Sequence, residues 1–104
     1  MIYIVSFSAT DYDFCDYRNV AAFNSKKEAE QLVNTLNLLM RRYKDVACNY
    51  VFDNDKNETR EEFISKGLKL SWKENNYRTK YKLDDHWGCY CYNIKYYVEA
   101  LELI

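Results

Sequence analysis

One amphipathic run constrains this chain more than any other feature: residues 25–42, SKKEAEQLVNTLNLLMRR. Wound as a helix, it gathers Ala29, Leu32, Val33, Leu36, Leu39, Met40 and Tyr43 within an arc of roughly 120°. Lys27, Glu30, Gln31, Asn34, Asn37 and Arg41 take the remainder of the circumference. Ser25 is an N-cap, and Glu28 three positions on completes a capping box that satisfies amide donors at the helix start. A long helix with one apolar face therefore predicts a sheet to receive it, with Leu38 on the side away from the core.

The 104 residues suffice for one domain, 1–104, with a single core. No proline and only two glycines, Gly67 and Gly88, occur in the chain, so Gly-rich phosphate loops and flexible spacers have no material to be built from. No apolar run reaches the length of a membrane span, and the N-terminus lacks the features of a secretory leader. A cytoplasmic protein is expected, with Cys15, Cys48, Cys89 and Cys91 as reduced thiols.

Taken in order, residues 2–8 (IYIVSFS) read as a strand with Ile2 and Ile4 on one face and Tyr3, Val5 and Phe7 on the other. An acidic loop, ATDYDFCDYR, is expected next, then a short strand at 20–23. Its Asp11, Asp13 and Asp16 lack the glycine and terminal glutamate of a calcium loop, and a solvated loop is the simpler reading. Residues 45–52, DVACNYVF, predict a strand. Thr59 and Glu62 form another capping box, opening a short helix at about 59–66 with Gly67 as a left-handed C-cap. From Leu68 the pattern alternates. Leu68, Leu70, Trp72, Tyr77, Thr79, Tyr81 and Leu83 fall on one side of a predicted hairpin, with Lys69, Ser71, Lys73, Arg78, Lys80 and Lys82 on the other. Residues 89–104 read as a long closing strand. The predicted fold is α+β: a mainly antiparallel sheet of five to six strands, one long helix (about 26–42) on one face and the short helix near an edge. The second sheet face would draw on Tyr3, Phe7, Tyr90, Tyr92, Tyr96 and Tyr97.

The residues offer little catalytic chemistry. His86, Cys89 and Cys91 make an H-x-x-C-x-C cluster that could share a metal or a thiol reaction, but a fourth ligand and the usual C-x2-C knuckles are missing. The simpler reading is strand cysteines beside a loop histidine. With one histidine in the chain and no evident pair of carboxylates, no enzyme activity and no cofactor are expected.

Charge is more informative. Between residues 66 and 82 lie six Lys or Arg and one acid, a local +5, against 9 positive and 15 negative groups elsewhere. A basic surface of Lys69, Lys73, Arg78, Lys80 and Lys82, with Trp72 and Tyr77, would suit an acidic partner or phosphates. The competing reading is a solvated lysine face that guards an edge strand.

The segments YIVSF, VAAFNSKKEAEQLV and YYVEALEL resemble small phage and bacterial accessory proteins in which a strand ending in Phe leads to a Ser-capped helix. Phe23, Ser25 and Ala29 carry the match; residues 43–86 depart from it. That resemblance implies a phage-encoded inhibitor or modulator of a host nucleic-acid-handling or defence complex, of which anti-CRISPR proteins are one kind, acting in the host cytoplasm. The expectation is thus a non-enzymatic protein-binding module, with a homodimer compatible. The alternatives are direct nucleic-acid binding through the basic hairpin and a metal- or thiol-dependent protein using His86, Cys89 and Cys91.

Overall fold

The helix that begins after Ser25 does not stop at residue 42. In the computed structural model, which describes residues 1–11, 14–53, 59–83 and 93–102, α1 runs Lys26–Asp53. The expected strand at 45–52 is its last two turns. Valine, tyrosine and phenylalanine there favour a strand in isolation, but extending a formed helix needs no new nucleus. Tyr43, Val46 and Ala47 also continue the apolar stripe at helical spacing, and all three pack on the core.

Beneath α1 lies one antiparallel sheet of three strands, ordered β2-β1-β3. These are β1 (Ile2–Asp11), β2 (Phe14–Phe23) and β3 (Asn93–Leu101). Among the described residues the five to six strands expected are three, because residues 45–52 and most of the expected hairpin at 68–83 are helical. The acidic loop is largely absent as well: β1 continues to Asp11 and β2 starts at Phe14. Asp16 sits in β2, where its carboxylate accepts from Arg18 Nε at 3.0 Å. A register shift between Val5 and Ser6 places a bulge in this pairing, which adds twist and re-aims side chains beyond it.

Period-two alternation on β1 is as expected. Val5, Phe7 and Ala9 are fully buried and face α1, which contributes Ala29, Leu32, Leu36, Leu39, Met40 and Tyr43 to the same core. Phe7 and Tyr96 meet at 5.4 Å between ring centroids, and Tyr3 also packs on this core, so these three aromatics belong under the helix rather than on the second face. Tyr97 is on the second face; Tyr90 and Tyr92 lie outside the described residues. Leu38 is exposed, as its wheel position required. Asn37 is not on a free polar face: its amide donates to the Tyr96 carbonyl at 3.1 Å and accepts from the Tyr96 N–H at 2.9 Å. Those backbone groups point away from β1. One helix side chain thus closes the outer edge of β3 at its middle, against pairing with another strand there.

Two short helices complete the described fold, α2 (Arg60–Leu68) and α3 (Trp72–Lys80). The Thr59–Glu62 capping box is present as expected. Gly67 is not the left-handed cap, which is Lys69 at φ 48°. The glycine serves close packing instead. A Cβ at position 67 would come within 2.6 Å of Val46 Cγ1, so α2 approaches α1 where no side chain intervenes. Gly67→Ala is expected to lower stability by about 1–2 kcal/mol despite alanine's better helix propensity, and Val46→Ala in the same chain should recover part of that loss. Chemical denaturation of the two variants checks both statements.

Candidate contact surface on the third helix

Residues 68–83 are the expected hairpin, and they are not a hairpin. The signal that decided the outcome is S-x-x-E at positions 71–74. Ser71 Oγ accepts from the Glu74 N–H at 3.2 Å, and Glu74 Oε1 accepts from the Ser71 N–H at 3.0 Å. Glu74, Asn75 and Asn76 therefore form the first turns of α3 instead of a strand-connecting turn. Along the helix, Tyr77 and Tyr81 stack four residues apart at 5.9 Å, and Thr79 donates its hydroxyl to the Asn75 carbonyl at 3.2 Å.

None of the nine residues of α3 is buried. The helix is held by its ends, by Tyr77, which packs half-buried against the core, and by one arginine from α1. Leu68 and Leu70 precede it, and Leu83 follows it fully buried, so apolar anchors enter the core on both sides. Arg42 of α1 donates to Glu74 Oε2 at 2.6 Å and also to the carbonyl of Leu68. One guanidinium thus fixes the end of α2 and the start of α3 together, a geometry that suits its planar fork.

Among the influences on Glu74, the hydrogen bond from the Ser71 backbone is the largest, and together with the Ser71 hydroxyl and Arg42 it outweighs partial burial to hold the carboxyl below its ordinary 4.5. A carboxyl depressed in the folded state contributes stability that is present above its unfolded value and is lost as pH falls through the folded one. Amides of α3 are therefore expected to lose hydrogen-exchange protection on acidification below about pH 4.5. Glu74→Gln should flatten that pH response while leaving the sheet amides unchanged, as exchange measured across a pH series would show.

Helical winding sorts the predicted contact residues anew. Lys73, Tyr77 and Lys80 share one side of α3, where Lys73 Nζ lies 6.0 Å from the Tyr77 ring centroid and Lys80 Nζ 5.3 Å from that of Tyr81. Arg78 is on another side, half-buried and engaged within the fold. Lys69 and Lys82 flank the helix at the two positive-φ positions, both exposed. Trp72, expected on a buried strand face, is 81% exposed in the first turn. Among the described residues, ion pairs within 4.0 Å join Arg18 to Asp16, Lys26 to Glu30 and Arg42 to Glu74, so Lys69, Lys73, Lys80 and Lys82 are not neutralised by them. Between α3 and the N-terminal half of α1 runs a groove of about 540 Å³, with Gln31 and Thr35 opposite Lys73, Tyr77, Lys80 and Tyr81.

His86, Cys89 and Cys91 lie outside the described residues. Among the described ones, no group of three or more His, Cys, Asp or Glu is placed to hold a metal, and no helix is long and apolar enough to cross a membrane. Arg42 and Asn37 are the residues that sequence reasoning missed. For Arg42 the available signal was the capping box at 71–74, which marks a helix start that a long cation could reach. No family model, curated protein or solved structure matches this chain.

Proposed function

We propose that the chain is a non-enzymatic binding module that docks an acidic protein surface onto α3 and the groove beside it. The observation that carries this reading is a helix contributing no buried residue that is nevertheless fixed at both ends and displays Trp72, Lys73 and Lys80. Tryptophan is enriched among residues that dominate interfaces because it gives large contact area with few rotors to freeze. Lysines around it that stand outside the ion pairs among the described residues steer an oppositely charged partner and penalise others. An inhibitor or modulator of a host complex, the role implied by the accessory-protein resemblance, would act through this surface by covering a partner's functional face.

Direct nucleic-acid binding is the second reading, favoured by the same exposed indole between Lys69 and Lys73, where a base could stack. The two separate in an anisotropy titration of the protein with a labelled polyglutamate peptide and with a labelled single-stranded oligonucleotide. Saturable, salt-sensitive binding of the peptide with weaker binding of the oligonucleotide is the expected result. Tighter oligonucleotide binding, with a log–log salt slope near about −2 for three phosphate contacts, would transfer the assignment to nucleic acid. Binding of neither probe would remove α3 as a contact surface.

A further inference from the structure

The sheet face turned away from α1 carries a second feature, independent of α3. On it the central strand presents Ser6, Ser8 and Thr10, small residues between taller neighbours. Ser8 pairs in register with Tyr17 on β2 and with Lys95 on β3, and Ser6 pairs with Tyr97. The result is a trough of about 350 Å³ lined by Ser8, Thr10, Tyr17, Lys95 and Tyr97.

Its floor is polar and incompletely satisfied. Ser6 donates to Asn19 Oδ1 at 3.2 Å, whereas Ser8, only 5% exposed, has no hydrogen-bond partner for its hydroxyl among the described residues. Burying a hydroxyl without a partner is costly, and a ligand atom above it would remove that cost. Lys95 is the one charged residue among those lining the trough, its ammonium 5.7 Å from the Tyr97 ring centroid. Burial and the neighbouring Glu99 keep the Tyr97 phenol protonated by raising its pKa, so that ring adds no negative charge. Two hydroxyls and an ammonium form a donor-rich set, the kind that receives phosphoryl oxygens.

The trough is too large for a bare ion and sits at the low end of small-molecule sites, while the exposed ring of Tyr17 supplies a wall for an organic body. A second copy packed on this face would have to desolvate Lys95 and the hydroxyl floor, which argues against self-association there. We propose that this trough binds a small organic phosphate, with its phosphoryl group on Lys95, Ser8 and Thr10 and its body against Tyr17.

Titration calorimetry of the whole protein with phenyl phosphate tests the assignment. Saturable binding is expected at about millimolar affinity or tighter, weakened about tenfold by Lys95→Ala and by Ser8→Ala. Both variants should keep the native circular dichroism spectrum, since Lys95 is exposed and alanine fits where serine stood. Lys27→Glu, on the outside of α1, should leave the affinity within about twofold. Inorganic phosphate and phenol should each bind more weakly than phenyl phosphate. No saturable heat, unaltered affinity in both trough variants, or an equal loss in Lys27→Glu would overturn the site; inorganic phosphate binding as tightly as phenyl phosphate would overturn the organic ligand.

Discussion

Leu36→Ala is expected to cost about 3–5 kcal/mol of folding stability, a large share of the roughly 5–15 kcal/mol typical of a domain. Leu36 is fully buried at the middle of α1, in the same cluster as Val5, Phe7 and Ala9 of the central strand. Among the described residues the fold has one helix layer on one three-stranded sheet, and the core lies between them. Truncation opens a cavity against a central strand held on both sides by its ladders to β2 and β3, which limits how far the site can collapse. Leu38→Ala, two residues along and exposed, should change stability by less than about 0.5 kcal/mol. Guanidinium denaturation of the pair makes the comparison. Similar losses at the two positions would contradict the placement of α1 on the sheet.

The second large effect concerns binding. Lys73→Glu combined with Lys80→Glu is expected to weaken the acidic probe by at least about 100-fold, about 2.7 kcal/mol. Each reversal replaces an attraction with a repulsion at neighbouring points of one helix face. Stability should move by only about 1 kcal/mol or less, because α3 buries no residue and the two lysines contribute only exposed contacts with tyrosine rings. A variant that folds normally and binds the probe as before would remove these lysines from the interface.

What the chain discloses before folding follows from how local each determinant is. The apolar stripe of α1, the alternation of β1 and the Thr59 capping box each depend on residues within a few positions of one another, and all three are found where expected. The continuation of α1 beyond residue 42 was hidden because Val46, Tyr50 and Val51 satisfy strand composition as well as helical spacing. The helix prevailed through its existing nucleus and its contact with α2 at Gly67. Residues 68–83 alternate because their leucines are anchors at the two ends of a helix, not inward positions of a ribbon. The capping box at Ser71 and Glu74 was legible, and it outranks alternation because it satisfies specific amide donors. Arg42 and Asn37 could not be placed from a helical wheel alone, since each acts across the fold, on α3 and on the edge of β3.

That reorganisation also changes what the basic segment can do. A ribbon would have set five cations on one outward side; the helix divides them. Lys73 and Lys80 keep company with Tyr77, Lys69 and Lys82 stand at the ends, and Arg78 is drawn into the fold. The contact surface is consequently smaller than the sequence suggests and more aromatic, with Trp72 added to it.

The most direct test is to map amide chemical shifts while an acidic peptide is titrated into the isotope-labelled protein. Saturable changes concentrated at residues 72–81 and at the facing residues 28–35 of α1, suppressed by salt, are the predicted result. Changes confined to the sheet face turned away from α1 or to β2, with α3 unmoved at saturation, would contradict the assignment of α3 as the docking helix.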